Sequence, residues 1–195
     1  MAVKAVLETL RHVWLTIDEL GITAAVVGGL ALAFWKHPRA TRDVDVMVSV
    51  TDAQLEELVN ALVNSGVRLK GEGARVHLGN TDIVQLEYEP PEAFVDVPLD
   101  LLIARSQYAR EALQRSITVT LEQLGLAIRV LGCEDLIINK LLAGRIIDLA
   151  DAAALVRANI GSLDMEYLKD KVDQLQLSRQ LRKIWEEACP GEPFP

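Results

Sequence analysis

The run DVDVMVSV, residues 43–50, alternates polar and apolar side chains through Val48. That period of two predicts a β-strand with one wet face and one buried face. Residues two apart on a strand share a face. Asp43 and Asp45 therefore point one way, while Val44, Val46 and Val48 point into a core. Two like charges held this close repel each other. A divalent cation relieves the conflict, and Mg²⁺ is a hard ion that takes carboxylate oxygens, phosphate oxygens and water. A lone Asp-x-Asp also fits the wet face of an edge strand with no chemistry attached, so the flanking sequence must decide.

Upstream, the β-branched run Ile22–Val27 reads as a buried strand that ends at Gly28-Gly29, and thirteen residues separate Gly29 from Asp43. Glycines at a strand-to-helix turn let the backbone approach a phosphate and aim N–H groups at it. Taken singly, each glycine fits a tight turn equally well. Residues 30–37 read as a short helix ended by Pro38, because proline disfavours helical geometry in the residue before it. Downstream, Asp100 in VPLDLLIA opens an apolar strand segment, where a charge is costly unless paired. Asp96 has the same strand parity. Asp100 is preferred as a third carboxylate, since Pro98 is expected to disrupt the strand near Asp96 and leave that residue in solvent.

The remaining elements follow from periodicity. Residues 3–20 predict an amphipathic helix stopped by Gly21. Thr51 is an N-cap for a helix over 52–64, closed by Gly66. Residues 67–82 predict a short strand and loops. Strands at 83–89 and 94–104 predict an antiparallel hairpin around Pro90-Pro91-Glu92. A short helix at 107–115 and strands at 117–121 and 126–131 come next. Helices are expected at 134–144, 146–158, 164–175 and 177–188, then a frayed tail, PGEPFP. The expected organisation is a mixed α+β core over residues 1–131, with a helical region, 132–195, packed on it.

Composition excludes several classes. Half of the 195 residues are apolar, enough for a sizeable core. No run approaches the roughly 20 apolar residues of a membrane span. The N-terminus has no apolar segment of the signal-peptide kind, so a cytoplasmic location is expected. The net charge is −8, which argues against tight non-specific binding to nucleic acid. Cys133 and Cys189 have no Cys or His at ligand spacing, so neither a zinc site nor a disulfide framework is expected. Cys133 is placed at a helix start and Cys189 in the tail. His12, His37 and His77 form no nucleophilic pattern, and Trp14, Trp35 and Trp185 are assigned to the core. A Rossmann-type dinucleotide site is excluded, because no G-x-G-x-x-G opens the helix.

In order and type, Gly28, Gly29, Asp43, Val44, Asp45, Val46 and Asp100 resemble the signature of the DNA polymerase β-type nucleotidyltransferase superfamily. The fuller stretch GGLALAFWKHPRATRDVDV is similar to the AbiEii-like toxin nucleotidyltransferases and their relatives, which favour Arg-x-Thr before the Asp pair, here Arg39 and Thr41. Residues 134–156 resemble the same group through Lys140, Arg145, Asp148 and Asp151. The resemblance covers about residues 22–158. It implies a nucleotidyltransferase fold, a small mixed sheet flanked by helices. It implies transfer of a nucleoside monophosphate from a nucleoside triphosphate to an acceptor hydroxyl, with Mg²⁺ or Mn²⁺ held by Asp43, Asp45 and Asp100. Gly28, Gly29, Arg39, Thr41 and Lys140 would bind the nucleotide. Asp148 and Asp151 share a helix face and could instead pair with Lys140 or Arg145. The acceptor stays open between transfer RNA, a protein and a small molecule, and a cognate antitoxin is a possible partner. The alternative is a non-catalytic nucleotide-binding or protein-interaction module on the same fold.

Overall fold

The computed structural model describes residues 2–71, 74–78, 81–91 and 93–195. The chain divides into two compact units. One comprises Met1–Leu30 with Ala40–Leu131, and the other Ala31–Arg39 with Gly132–Pro195.

The first unit is built on a mixed sheet. Its strands are β1 (Thr23–Val26), β2 (Val44–Ser49), β3 (Arg68–Leu69), β4 (Arg75–Leu78), β5 (Thr81–Tyr88), β6 (Val97–Ile103), β7 (Ile117–Leu121) and β8 (Leu126–Val130). They lie in the order β3-β5-β6-β2-β1-β8-β7, with β4 paired to β5. β1 and β2 are antiparallel, whereas β2 and β6 run parallel, as do β1 and β8. β5 and β6 form the expected antiparallel hairpin; Glu92 of its turn lies outside the described residues.

The sheet has two unlike faces. β6 alternates buried and half-buried residues along its whole length. Leu99, Leu101 and Ile103 join Val44, Val46, Val48, Val84 and Leu86 on the buried face. The amphipathic helix α1 (Ala2–Glu19) packs on β2 and β6, and α3 (Asp52–Asn64) packs on α1. Their apolar stripes, Leu10, Val13 and Ile17 on α1 and Leu55, Leu58 and Leu62 on α3, are sealed from solvent. The opposite face carries Asp45, Gln85 and Asp100, all half-buried. α4 (Gln107–Gln114) follows β6, with Ser106 capping it through Ala109 N–H.

The second unit is helical: α5 (Cys133–Ala143), α6 (Ile146–Asn159), α7 (Met165–Gln174) and α8 (Ser178–Ala188). α5 packs on α6 and α7, and α6 on α8. Residues 31–39 join this unit, where Asn159 Nδ2 donates to the Trp35 carbonyl at 2.8 Å. Among the described residues, no helix is long and apolar enough to cross a membrane.

Several local expectations need correction. Helix α2 spans Gly28–Phe34, so it starts at the glycine pair itself rather than at residue 30. It also stops before Pro38: Lys36 takes φ +61°, a left-handed conformation that ends the helix from within. Asp43 lies one residue ahead of β2. Met47 is buried on the face expected to be wet. β5 begins at Thr81, two residues early, and β4 fills part of the region expected as loop. Pro98 lies within β6, opposite Glu87. The ladder to β2 begins only at Leu99, so Pro98 sits just beyond it and disrupts nothing. Cys189 is buried at the end of α8 rather than loose in a tail, and Trp35 is half-buried.

Thr51 forms a full capping box, its hydroxyl accepting from Gln54 N–H while the Gln54 side chain accepts from Thr51 N–H. Thr51→Ala is expected to lower unfolding stability by about 1 kcal/mol. Urea denaturation followed by circular dichroism checks this.

Candidate active site

The acidic residues converge through strand register. Asp45 on β2 pairs with Asp100 on β6, and Asp100 pairs in turn with Gln85 on β5. Neighbouring strands lie about 4.8 Å apart, so these three side chains stand side by side on one face. Val27 N–H donates to the Asp45 carbonyl at 3.0 Å, which carries the β1–β2 alignment past Val26 and sets the next residue, Gly28, against Asp45.

That approach demands glycine. A Cβ at Gly28 would lie 1.8 Å from Asp45 Oδ2, and Gly28 also has φ +59°. A Cβ at Gly29 would lie 2.5 Å from Thr41 Oγ1. The Thr41 hydroxyl in turn donates to the Asp43 carboxylate. The glycine turn is thus locked to both members of the Asp-x-Asp pair, directly at Asp45 and through Thr41 at Asp43. Six of the residues singled out in the sequence, Gly28, Gly29, Thr41, Asp43, Asp45 and Asp100, come together in the first unit.

Burial pushes the Asp100 carboxyl above its ordinary pKa, the Gln85 amide and Lys70 pull it down, and Asp43 pushes it up. Gln85 Nε2 donates to Asp100 Oδ1 at a long 3.5 Å. Among the described residues, no three His, Cys, Asp or Glu side chains already close on a common metal position. The donor set is nevertheless all oxygen, crowded with negative charge, and half open, which suits a hard divalent cation completed by water and phosphate. Asp96 lies apart from this group. It sits ahead of β6 and holds Arg68 Nη2 at 2.6 Å, with Glu87 as the second partner of that arginine.

Arg39 and Lys140 belong to the second unit, and each meets carboxylates there. Lys140 Nζ lies 2.8 Å from Asp148 Oδ1 and 2.9 Å from Asp151 Oδ2. Arg39 Nε lies 3.1 Å from Asp151 Oδ1, and Arg145 Nε lies 2.6 Å from Asp148 Oδ2. His37 approaches Asp151 at 3.4 Å. Burial pushes the Asp148 carboxyl upward, but the Arg145 and Lys140 hydrogen bonds outweigh it and hold the pKa below the ordinary value. The lysine that the sequence marks as reaching an anion does so within its own chain.

Gln85 and Lys70 are the site residues that sequence reasoning missed. A signal existed for Gln85, since the hairpin register sets it opposite Asp100. Lys70 lies in a stretch read only as short strand and loops.

Three outcomes test this geometry. Gly21 and Gly28 share a positive φ, +62° and +59°, yet a Cβ at Gly21 meets nothing within 4 Å. Gly21→Ala should therefore incur only backbone strain, about 1 kcal/mol, whereas Gly28→Ala should lose at least 2 kcal/mol more, about what steric overpacking adds. Thermal melts of the two variants side by side measure the difference. Lys140→Met should destabilise on the order of 3 kcal/mol, because it strips a buried partner from two carboxylates. A melt unchanged from wild type would refute its role as a structural hub. Because the Asp148 pKa is lowered in the fold, its contribution to stability is present above the unfolded value, near 3.9, and fades as pH falls through the folded value. The stability gap between wild type and Asp148→Asn should accordingly shrink as pH falls below about 4 in a pH series of denaturation curves.

The family described as "Nucleotidyl transferase AbiEii toxin, Type IV TA system" matches residues 9–188. No curated protein matches the sequence. Among solved structures, an antigenic nucleotidyltransferase-like protein from Paracoccidioides brasiliensis is similar at TM-score 0.52 and 20% identity, over 91% of this chain and 92% of that one. The solution structure of the antibiotic-resistance factor ANT(2'')-Ia is similar at TM-score 0.57 and 17% identity, over 96% of each chain. Its crystal structure in complex with adenylyl-2''-tobramycin gives TM-score 0.53 and 15% identity, over 91% of this chain and 98% of that one. At such identities these likenesses establish the nucleotidyltransferase fold.

Proposed function

We propose, from the premise that the chain belongs to the AbiEii nucleotidyl transferase family, that it moves a nucleoside monophosphate from a nucleoside triphosphate to an acceptor hydroxyl at Asp43, Asp45 and Asp100. Membership makes the protein a nucleotidyltransferase; the site, the metal and the direction of transfer are our reading. The observation that carries it is the Asp45 carboxylate, seated where a Gly28 Cβ would be and next to Asp100 across the β2–β6 ladder.

In this reading the backbone N–H groups at Gly28 and Gly29 face the triphosphate. Asp43 and Asp45 would hold Mg²⁺, or Mn²⁺ in its place. The cation, when bound, neutralises phosphate charge and lowers the pKa of the attacking hydroxyl. Asp100 orients the acceptor hydroxyl and takes its proton. The hydroxyl oxygen forms a bond to the α-phosphorus, the bond from that phosphorus to the bridging oxygen breaks, and pyrophosphate leaves. Thr41 acts by fixing Asp43. Arg39 and Lys140 we assign to the ion network of the helical unit rather than to the nucleotide.

The acceptor class is open between transfer RNA, a protein and a small molecule. A toxin role with a cognate antitoxin follows from the family description and belongs to the same proposal, as does action in the cytoplasm. The third carboxylate, Asp100, favours turnover over a non-catalytic module, since holding a cation and triphosphate calls only on Asp43 and Asp45 in this reading.

Isothermal titration with each nucleoside triphosphate, with and without Mg²⁺, tests the reading. Wild type should bind at least one triphosphate only when Mg²⁺ is present, and Asp45→Asn should not. Transfer of label from that triphosphate to cellular RNA or protein should fall about 10²–10³-fold in Asp45→Asn. Failure of wild type to bind any triphosphate would sink the proposal.

A further inference from the structure

The row of side chains on the carboxylate-bearing sheet face does not stop at the carboxylates. β3 pairs antiparallel with β5 through Leu69↔Leu86, and Lys70 N–H donates to the Gln85 carbonyl at 3.0 Å, so the alignment runs one residue beyond β3. Across four strands the face therefore reads Lys70, Gln85, Asp100, Asp45, and then Gly28 at the turn after β1. The row has a direction. Gly28 and Asp45 stand at one end, the exposed Lys70 at the other, and Asp100 between them with Gln85 as its neighbour on the far side.

We infer that Gln85 and Lys70 are positioning residues for the acceptor half of the reaction: Gln85 holds the Asp100 carboxylate in the orientation that receives the hydroxyl, and Lys70 balances the charge gathered there. The inference rests on the nucleotidyl-transfer reading and extends it to residues outside the family signature. Three observations support it. Gln85 is half-buried and its amide reaches one oxygen, Oδ1, which leaves the other for the acceptor side. Lys70 stands beside Gln85 on the same face, its N–H bonded to the Gln85 carbonyl one residue past the Leu69↔Leu86 pair. The nearest other cation of this stretch, Arg68, is already shared by Glu87 and Asp96.

The division of labour makes a specific forecast. Residues at the glycine end bind nucleotide. Residues beyond Asp100 affect transfer and leave nucleotide binding alone. A misplaced reacting group costs up to about 100-fold for roughly 1 Å of displacement. Gln85→Leu and Lys70→Met should therefore lose 10–100-fold in label transfer, while their Mg²⁺-dependent affinity for the triphosphate stays within about twofold of wild type. Lys70→Arg should recover most of the loss, since it restores the charge. A readout that needs no acceptor comes from titrating Mn²⁺ into the triphosphate complex by paramagnetic resonance, where Gln85→Leu should hold the ion within about twofold of wild type. Thermal melts of both variants confirm that the fold persists.

Unchanged transfer in Gln85→Leu and Lys70→Met would overturn the inference. So would a parallel loss of triphosphate affinity, which would place both residues at the nucleotide end. A wild type that binds no triphosphate sinks the parent reading instead, and so the two failures are told apart.

Discussion

Everything at the candidate site follows from one close approach, the Asp45 carboxylate lying against the α-carbon of Gly28. A side chain on Gly28 would occupy the carboxylate's place, and the left-handed backbone there already disfavours one. The contact ties the β1–α2 turn to β2. Parallel pairing then ties β2 to β6, which delivers Asp100 to the same spot. Thr41 repeats the device at Gly29 and Asp43. Three separate stretches of chain are thereby fixed by backbone geometry and two missing methyl groups, before any ligand arrives. Preorganised charge of this kind is what a transfer site needs, because groups that must move into place during reaction stabilise less.

Much of this was legible beforehand, and the reason is physical. Strand period and helix period differ enough that element type survives in side-chain order, as the β5–β6 hairpin and the helices after Cys133 show. Cap chemistry is local, so Thr51 announced α3. Strand alternation marked the side of β2 and β6 that carries Asp45 and Asp100, but Asp43, one residue ahead of β2, is placed through Thr41 instead. What stayed hidden depends on conformation or distance. Lys36 carries no mark of its positive φ, so the end of α2 was misplaced. Nothing in the residue type of Lys140 tells whether its anion comes from a ligand or from Asp148 and Asp151, eight and eleven residues on. Arg39 meets Asp151 across 112 positions, beyond any local pattern. Lys70 joined the site only once β3 had been paired with β5.

The two acidic clusters of the chain make opposite use of the same residue type. In the helical unit, Asp148 and Asp151 are almost fully buried and receive Lys140, Arg39 and Arg145. Each charge there has a partner at hydrogen-bonding distance, and the result is a closed network. A buried ion pair of this kind adds little net stability over an apolar core, yet losing one member is severe. On the sheet, Asp43, Asp45 and Asp100 crowd together, with the Thr41 hydroxyl donating to Asp43 and the Gln85 amide to Asp100. Burial and Asp43 drive the Asp100 pKa up rather than down. In the helical unit the donors to carboxylate are cations, whereas Thr41 and Gln85, which donate to Asp43 and Asp100, are neutral. A neutral donor holds a carboxylate in place without cancelling its charge. Under the transfer we propose, that retained charge is what a cation entering with the triphosphate would meet.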